Sequence, residues 1–244
     1  MLFFVAVYVA GVVAGFLNVM AAGGSLITLP LLIFLGLPAA TANGTNRVAI
    51  LVQSIAAVTS FRQQGYAETR AGLPFALMAV PGAIAGALVA VRVSDDLFRA
   101  ILAGVLLLSV VGLLFPGARE RDKERVSRGT YAVGVLSFLG IGFYGGFIQA
   151  GVGFLFMLVF HRLLGLDLVR TNVYKVLVVL FLSTPALVVF ILTGNVVWGT
   201  ALVLAAGTAT GAVIATRVSV KGGERPIRIV LAMALLLMAV RLVW

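Results

Sequence analysis

From Leu2 to Leu37 the chain carries no charged side chain, and the first one it meets is Arg47. A single helix over Leu2 to Leu37 would measure about 54 Å, whereas a bilayer core is about 30 Å thick and takes about 20 helical residues to cross. One straight span does not fit. The run is interrupted by Ala21-Ala22-Gly23-Gly24-Ser25, so it reads as two shorter segments meeting at a break. Residues 130–164 pose the same problem, with Gly145, Gly146, Gly151 and Gly153 as the interruption.

Over the 244 residues 62% are apolar and 11% charged, against about 25% charged in a soluble domain. The chain therefore reads as spans and short loops, with no room for a globular enzyme domain. Apolar segments fall at roughly 2–20, 26–37, 47–61, 71–91, 99–115, 130–149, 152–164, 172–192, 196–216 and 227–244. They do not alternate as the strands of a membrane barrel would. The expected fold class is an all-α polytopic membrane protein. There is no cysteine and one histidine, His161, which excludes disulfides and thiol catalysis and leaves no His cluster for a metal. No metal or other cofactor is expected. The opening MLFFVAVYVAGVVAGF lacks a basic leader region and reads as a retained span rather than a cleaved signal.

A net charge of +10 here speaks first of topology and not of nucleic acid, because basic loops stay in the cytoplasm. If each broken unit crosses and returns, the breaks at 62–70, 116–129, 162–170 and 217–228 share one side. That side then receives fourteen Lys and Arg residues, leaving four, Arg47, Arg92, Arg99 and Arg241, opposite. The bias favours ten segments in the cell membrane, five per half, with both termini outside the cytoplasm. The halves are residues 1–118 and 130–244, joined by a basic cytoplasmic linker at 119–129.

An internal repeat supports the two halves independently. The stretch from Gly82 to Ser94 matches that from Gly207 to Ser219 at a spacing of 125, with seven of thirteen positions identical. Gly15-Phe16 likewise matches Gly142-Phe143, and Gly24 matches Gly151, at a spacing of 127. Five segments per half make the repeat inverted, an arrangement found in transporters, where substrate sits near the midplane at discontinuous helices. Gly82, Gly86, Gly207 and Gly211 read as close-packing positions. Gly23-Gly24-Ser25 and Gly151-Val152-Gly153 read as binding breaks, with broken or re-entrant helices on either side, although close packing is the alternative there too.

Unwound glycine segments expose amides that hydrocarbon cannot satisfy, and a helix starting at one turns N–H groups and partial positive charge toward the cavity, which favours an anion. Ser25 adds a hydroxyl. After each broken unit a polar run opens the next helix: Thr41-Ala42-Asn43-Gly44-Thr45-Asn46-Arg47, and Arg170-Thr171-Asn172-Val173-Tyr174-Lys175. Asn43, Thr45 and Thr171 suit either a site or helix caps. Arg47 and Lys175 correspond at a spacing of 128, and a cation in such a helix is costly unless it faces water or a partner. Snorkelling to an interface is the alternative; service to an anion is the preferred reading. All eight acidic residues lie in loops or at segment ends, so no carboxylate is placed mid-span to relay protons. Gln149 and Asn18 near the breaks, with Gln53 and Ser54, are further candidates for lining the cavity.

At these residues the sequence resembles the TauE/SafE sulfite exporter family of membrane anion transporters. Gly15-Phe16-Leu17-Asn18, Ala22-Gly23-Gly24-Ser25 through Pro30, and Ala42-Asn43-Gly44-Thr45-Asn46-Arg47 look like its first-repeat motif. Gly142-Phe143, Gly151-Val152-Gly153, Arg170-Thr171-Asn172 and Lys175-Val176 look like the second. The resemblance implies export of sulfite or an organosulfonate, without chemical conversion, and the inverted repeat leads to the expectation of alternating access. Gly23, Gly24, Ser25, Asn43, Thr45, Asn46, Arg47, Gln149, Gly151, Gly153, Thr171, Asn172 and Lys175 are the expected substrate-binding residues. The rival readings are a passive anion channel and a carrier of another small organic anion. The expected partners are the small anion, the lipid bilayer and, from the small-residue helix faces, a second copy of the chain, with no nucleic acid.

Overall fold

The computed structural model describes residues 2–21, 24–66, 69–114, 127–223, 225–227 and 229–230. Gly23 of the first break, most of the 119–129 linker and all but the start of the last segment lie outside the described residues. Those described form an all-α protein: α1 (Leu2–Ala21), α2 (Ser25–Phe34), α3 (Ala39–Gln63), α4 (Thr69–Ala90), α5 (Asp95–Leu114), α6 (Arg128–Phe147), α7 (Val152–Met157, running on as a π-helical stretch Leu158–Leu163), α8 (Leu168–Leu192) and α9 (Trp198–Gly222). Among them α1, α4, α6, α8 and α9 contain stretches long and apolar enough to cross a membrane.

Both glycine interruptions break the helix. At 10 residues, α2 is about 15 Å long, half the thickness of a bilayer core, and the helix from Val152 to Leu163 is also too short to cross. The start of α2 presses back on α1, since a Cβ on Gly24 would lie 2.0 Å from the Ala14 carbonyl oxygen. At the second break Gly151 takes a left-handed conformation, φ +73°, which only glycine adopts without strain. The Tyr144 hydroxyl ties the break down by donating to the Ala150 carbonyl at 2.5 Å.

The polar runs do not open their helices as expected, which sets aside the alternative that Asn43, Thr45 and Thr171 are caps. α3 already begins at Ala39, behind Pro38, and α8 at Leu168, where the Asp167 side chain accepts from the Arg170 N–H at 2.8 Å. The polar residues from Asn43 to Arg47 and from Thr171 to Lys175 are therefore helix-interior and buried.

Packing is reciprocal between the halves. α1 lies on α9 and α6 on α4; α3 lies on α9 and α8 on α4; α3 and α8 meet each other. The glycines make the first two contacts close: a Cβ on Gly15 would fall 2.1 Å from the Thr208 carbonyl oxygen, and one on Gly142 would fall 2.1 Å from that of Ala79. Gly82 meets Leu139 and Phe143, while Gly211 meets Val12 and Phe16. In contact terms Gly82 thus takes the place of Gly211, one helical turn beyond the partner assigned by sequence identity. Aromatic rings fill the far side of α8, where Phe75, Phe138, Phe160 and Tyr174 form edge-on or tilted pairs at centroid distances of 5.1–5.7 Å.

Candidate functional site

Between the two breaks lies a cavity of about 30 Å³, room for roughly two waters or one compact ion. Its polar wall is Asn18, Ser25, Gln53, Ser54, Gln149 and Lys175, drawn from α1, α2, α3, the second break and α8. Ile50, Val152, Val176 and Val179 supply apolar wall, and Gly153 completes the lining. No carboxylate among the described residues lines it.

Lys175 is 2% exposed. Its Nζ donates to the Val19 carbonyl at 2.7 Å and to Asn172 Oδ1 at 2.7 Å. An ammonium has three N–H donors, so one remains uncommitted. Val19 stands in the last turn of α1, where carbonyls lack helical partners and the helix dipole is negative. The cation is thus held by a helix end while also lining the cavity.

Arg47 is fully buried and makes the matching contact in the other direction. Its Nη2 donates to the Gly145 carbonyl at 3.0 Å and to that of Gly146, both in the last turn of α6. Its Nη1 donates to Gln149 Oε1 at 3.1 Å, and its guanidinium lies 4.9 Å from the centroid of the Phe190 ring. It does not line the cavity. Each half thus sends one cation onto the first helix of the other.

Of the residues expected at a site, Ser25, Gln149, Gly153 and Lys175 line the cavity. Gly24 and Gly151 stand behind the wall, at the breaks. Asn43, Thr45, Asn46, Thr171 and Asn172 are buried one layer further out. There Asn43 Nδ2 donates to the Phe147 carbonyl at 2.7 Å, Thr45 Oγ1 accepts from the Val197 N–H at 3.0 Å, and Asn46 Oδ1 accepts from Thr28 at 2.7 Å. Five buried atoms of this layer, Asn43 Oδ1, Asn46 Nδ2, Arg47 Nε, Thr171 Oγ1 and Asn172 Nδ2, have no hydrogen-bond partner among the described residues. Native proteins leave few such atoms.

The Ser25 N–H, expected to face a ligand, instead donates to Asn18 Oδ1 at 3.2 Å. Asn18 Nδ2 then reaches Gln53 Oε1 at 3.2 Å. This triad of Asn18, Ser25 and Gln53 closes the wall on the α1 side. The apolar residues Ile50, Val152, Val176 and Val179 went unsingled in the sequence, because nothing distinguishes a cavity-facing valine from a core one until the helices are packed.

A family model described as sulfite exporter TauE/SafE matches residues 7–242. A probable membrane transporter protein, ORF9, of Sinorhizobium sp is 33% identical over 96% of this chain and 90% of its own length. The probable membrane transporter protein YfcA of Escherichia coli K12 is 31% identical over the whole chain, 100%, and 88% of its own length. A probable membrane transporter protein of Haemophilus influenzae is 27% identical over 97% of this chain and 93% of its own length. No solved structure matches. Spanning helices, paired breaks and relatives matched nearly end to end make this a multi-pass membrane transporter, and the chain belongs to the sulfite exporter TauE/SafE family.

Proposed function

We propose that the protein exports a small sulfur-containing oxyanion, sulfite or a short organosulfonate, by alternating access between two inverted repeats. The observation that carries this reading is Lys175, which keeps one N–H uncommitted and lines a cavity with no carboxylate among the described residues of its wall. A buried cation of that kind needs an anionic partner or water. The Ser25 hydroxyl and the Gln149 carboxamide add neutral donors, the Ser54 hydroxyl being spent on the Ile50 carbonyl at 2.8 Å, and Gly153 allows close approach of backbone. The volume of about 30 Å³ fits sulfite better than a bulky sulfonate.

The family description supports outward transport. Reciprocal packing of α1 on α9 and α6 on α4 supports the inverted arrangement, as does the charge bias that this topology would produce, fourteen Lys and Arg residues against four. In it Lys175 clamps α1 and Arg47 clamps α6, one cation on the first helix of each half. Loosening one clamp at a time opens the site to one side only. In the outer polar layer Asn43, Asn46, Thr171 and Asn172 carry the unpaired groups that a second arrangement would engage.

The test is calorimetric binding of sulfite, sulfate, thiosulfate, sulfoacetate, taurine and chloride to purified protein, followed by flux in proteoliposomes. Saturable sulfite binding with counterflow is the expected result. Flux that neither saturates nor shows counterflow indicates a channel, and absence of binding to every member of the panel overturns the reading.

A further inference from the structure

Gln149 is the one non-glycine among the described residues with a left-handed backbone, φ +59°, and it sits 2% exposed in the cavity wall. Such a conformation is uncommon for a residue with a side chain and persists where the surroundings over-determine it. The side chain is held at both ends. Oε1 accepts from Arg47 Nη1 at 3.1 Å, and Nε2 donates to Ser183 Oγ at 3.0 Å.

A carboxamide has an acceptor edge and a donor edge of nearly the same shape, and its neighbours decide which points where. The Ser183 hydroxyl donates or accepts equally well and so makes no choice. Arg47 does choose, because a guanidinium has only donors and must face the oxygen. Nitrogen is then left for the other side, with one N–H spent on Ser183 and the second without a partner among the described residues. Arg47 itself stays outside the cavity, engaged with the Gly145 and Gly146 carbonyls.

We propose that Arg47 is a positioning residue that sets the polarity of the Gln149 carboxamide, so that the cavity offers an anion the amide N–H rather than the amide oxygen. The inference rests on the anion-transport reading. It makes anion preference depend on a residue that never touches the anion, and it gives the strained Gln149 a task that a hydrophobic residue of equal size could not perform.

A double-mutant cycle on the full-length protein tests it, with sulfite affinity as the readout and thermal stability recorded alongside. Gln149→Met is expected to weaken sulfite binding about tenfold or more, the loss of one hydrogen bond to a charged ligand. Arg47→Gln, which no longer dictates the amide's orientation, is expected to do the same. The double variant is expected to bind within about twofold of the weaker single variant, because both changes remove one interaction. Losses that multiply, or an Arg47→Gln variant that binds as wild type does, overturn the inference. Should Arg47→Gln fail to fold, wild-type protein labelled with ¹⁵N-glutamine decides the matter. The Gln149 side-chain signal, identified by its disappearance in Gln149→Met, is expected to shift on sulfite addition, and an unmoved signal overturns the role assigned. Absence of sulfite binding in wild type overturns the transport reading itself and this inference with it, whereas binding with independent losses overturns only the part given to Arg47.

Discussion

Lys175 belongs to the second half of the chain and Val19 to the first, yet the lysine Nζ donates to the Val19 carbonyl oxygen at 2.7 Å. A side chain of α8 thereby ties down the last turn of α1, while the same residue lines the cavity. The packing of α1 and the lining of the cavity thus converge on one ammonium group.

Replacing Lys175 by Met removes the only cation among the described residues of the cavity wall. Sulfite affinity is expected to fall about 10- to 100-fold, the range for hydrogen bonds to a charged group. Lys175→Arg keeps the charge and is expected to retain part of the binding. Calorimetry on both variants, alongside a check that each remains monodisperse in detergent, measures the effect.

Gln53→Glu is nearly isosteric and keeps the acceptor that receives Asn18 Nδ2 at 3.2 Å. It places a carboxylate in the same wall as Lys175, where it competes with any anion for the ammonium. The expected outcome is a folded protein with at least about tenfold weaker sulfite binding. Unchanged affinity would sink the anion reading of this cavity.

Gly15 and Gly82 are packing positions, for a Cβ on either would meet a backbone carbonyl of the neighbouring helix at 2.1 Å. Gly15→Val and Gly82→Val are therefore expected to destabilise the protein by about 1–3 kcal/mol each through overpacking, visible as lower thermal midpoints. Gly104→Val, where a Cβ meets nothing within 4 Å, serves as the tolerated control.

Gly151→Ala and Gly36→Ala both force a side chain onto left-handed backbone, φ +73° and +90°, at a cost of about 1–2 kcal/mol each. Only the first sits at the break that orients Gln149 and Gly153. Similar losses of thermal stability are expected from both, with sulfite affinity reduced in Gly151→Ala alone. Equal affinities in the two variants would separate the break from binding.

The helices were legible in the sequence because apolar runs and glycine interruptions are local signals, and a bilayer fixes how long a span must be. Nine of the ten expected segments have a helical counterpart among the described residues. The polar runs were located as well, but their place in the helix was not. Pro38 and Asp167 start α3 and α8 earlier than the hydropathy pattern suggests, which turns apparent caps into buried interior residues. That Arg47 and Lys175 would both need partners was readable from their cost in such helices; which partners each takes was not, since both sit at corresponding places in the two halves.

By itself, then, the sequence determined the class of molecule. A chain with no charge before Arg47 and only 11% charged residues has to satisfy its backbone within helices, and glycine-rich interruptions in such helices have to be covered by protein or ligand. Only the tertiary structure decided which polar groups meet. Lys175 lines the cavity while Arg47 is turned away onto α6, and Asn18, Ser25 and Gln53 close one wall together. The physical reason is that hydrogen-bond partners here are set by the docking of helices far apart in the chain, and the carbonyls at a helix end accept whichever donor that docking brings.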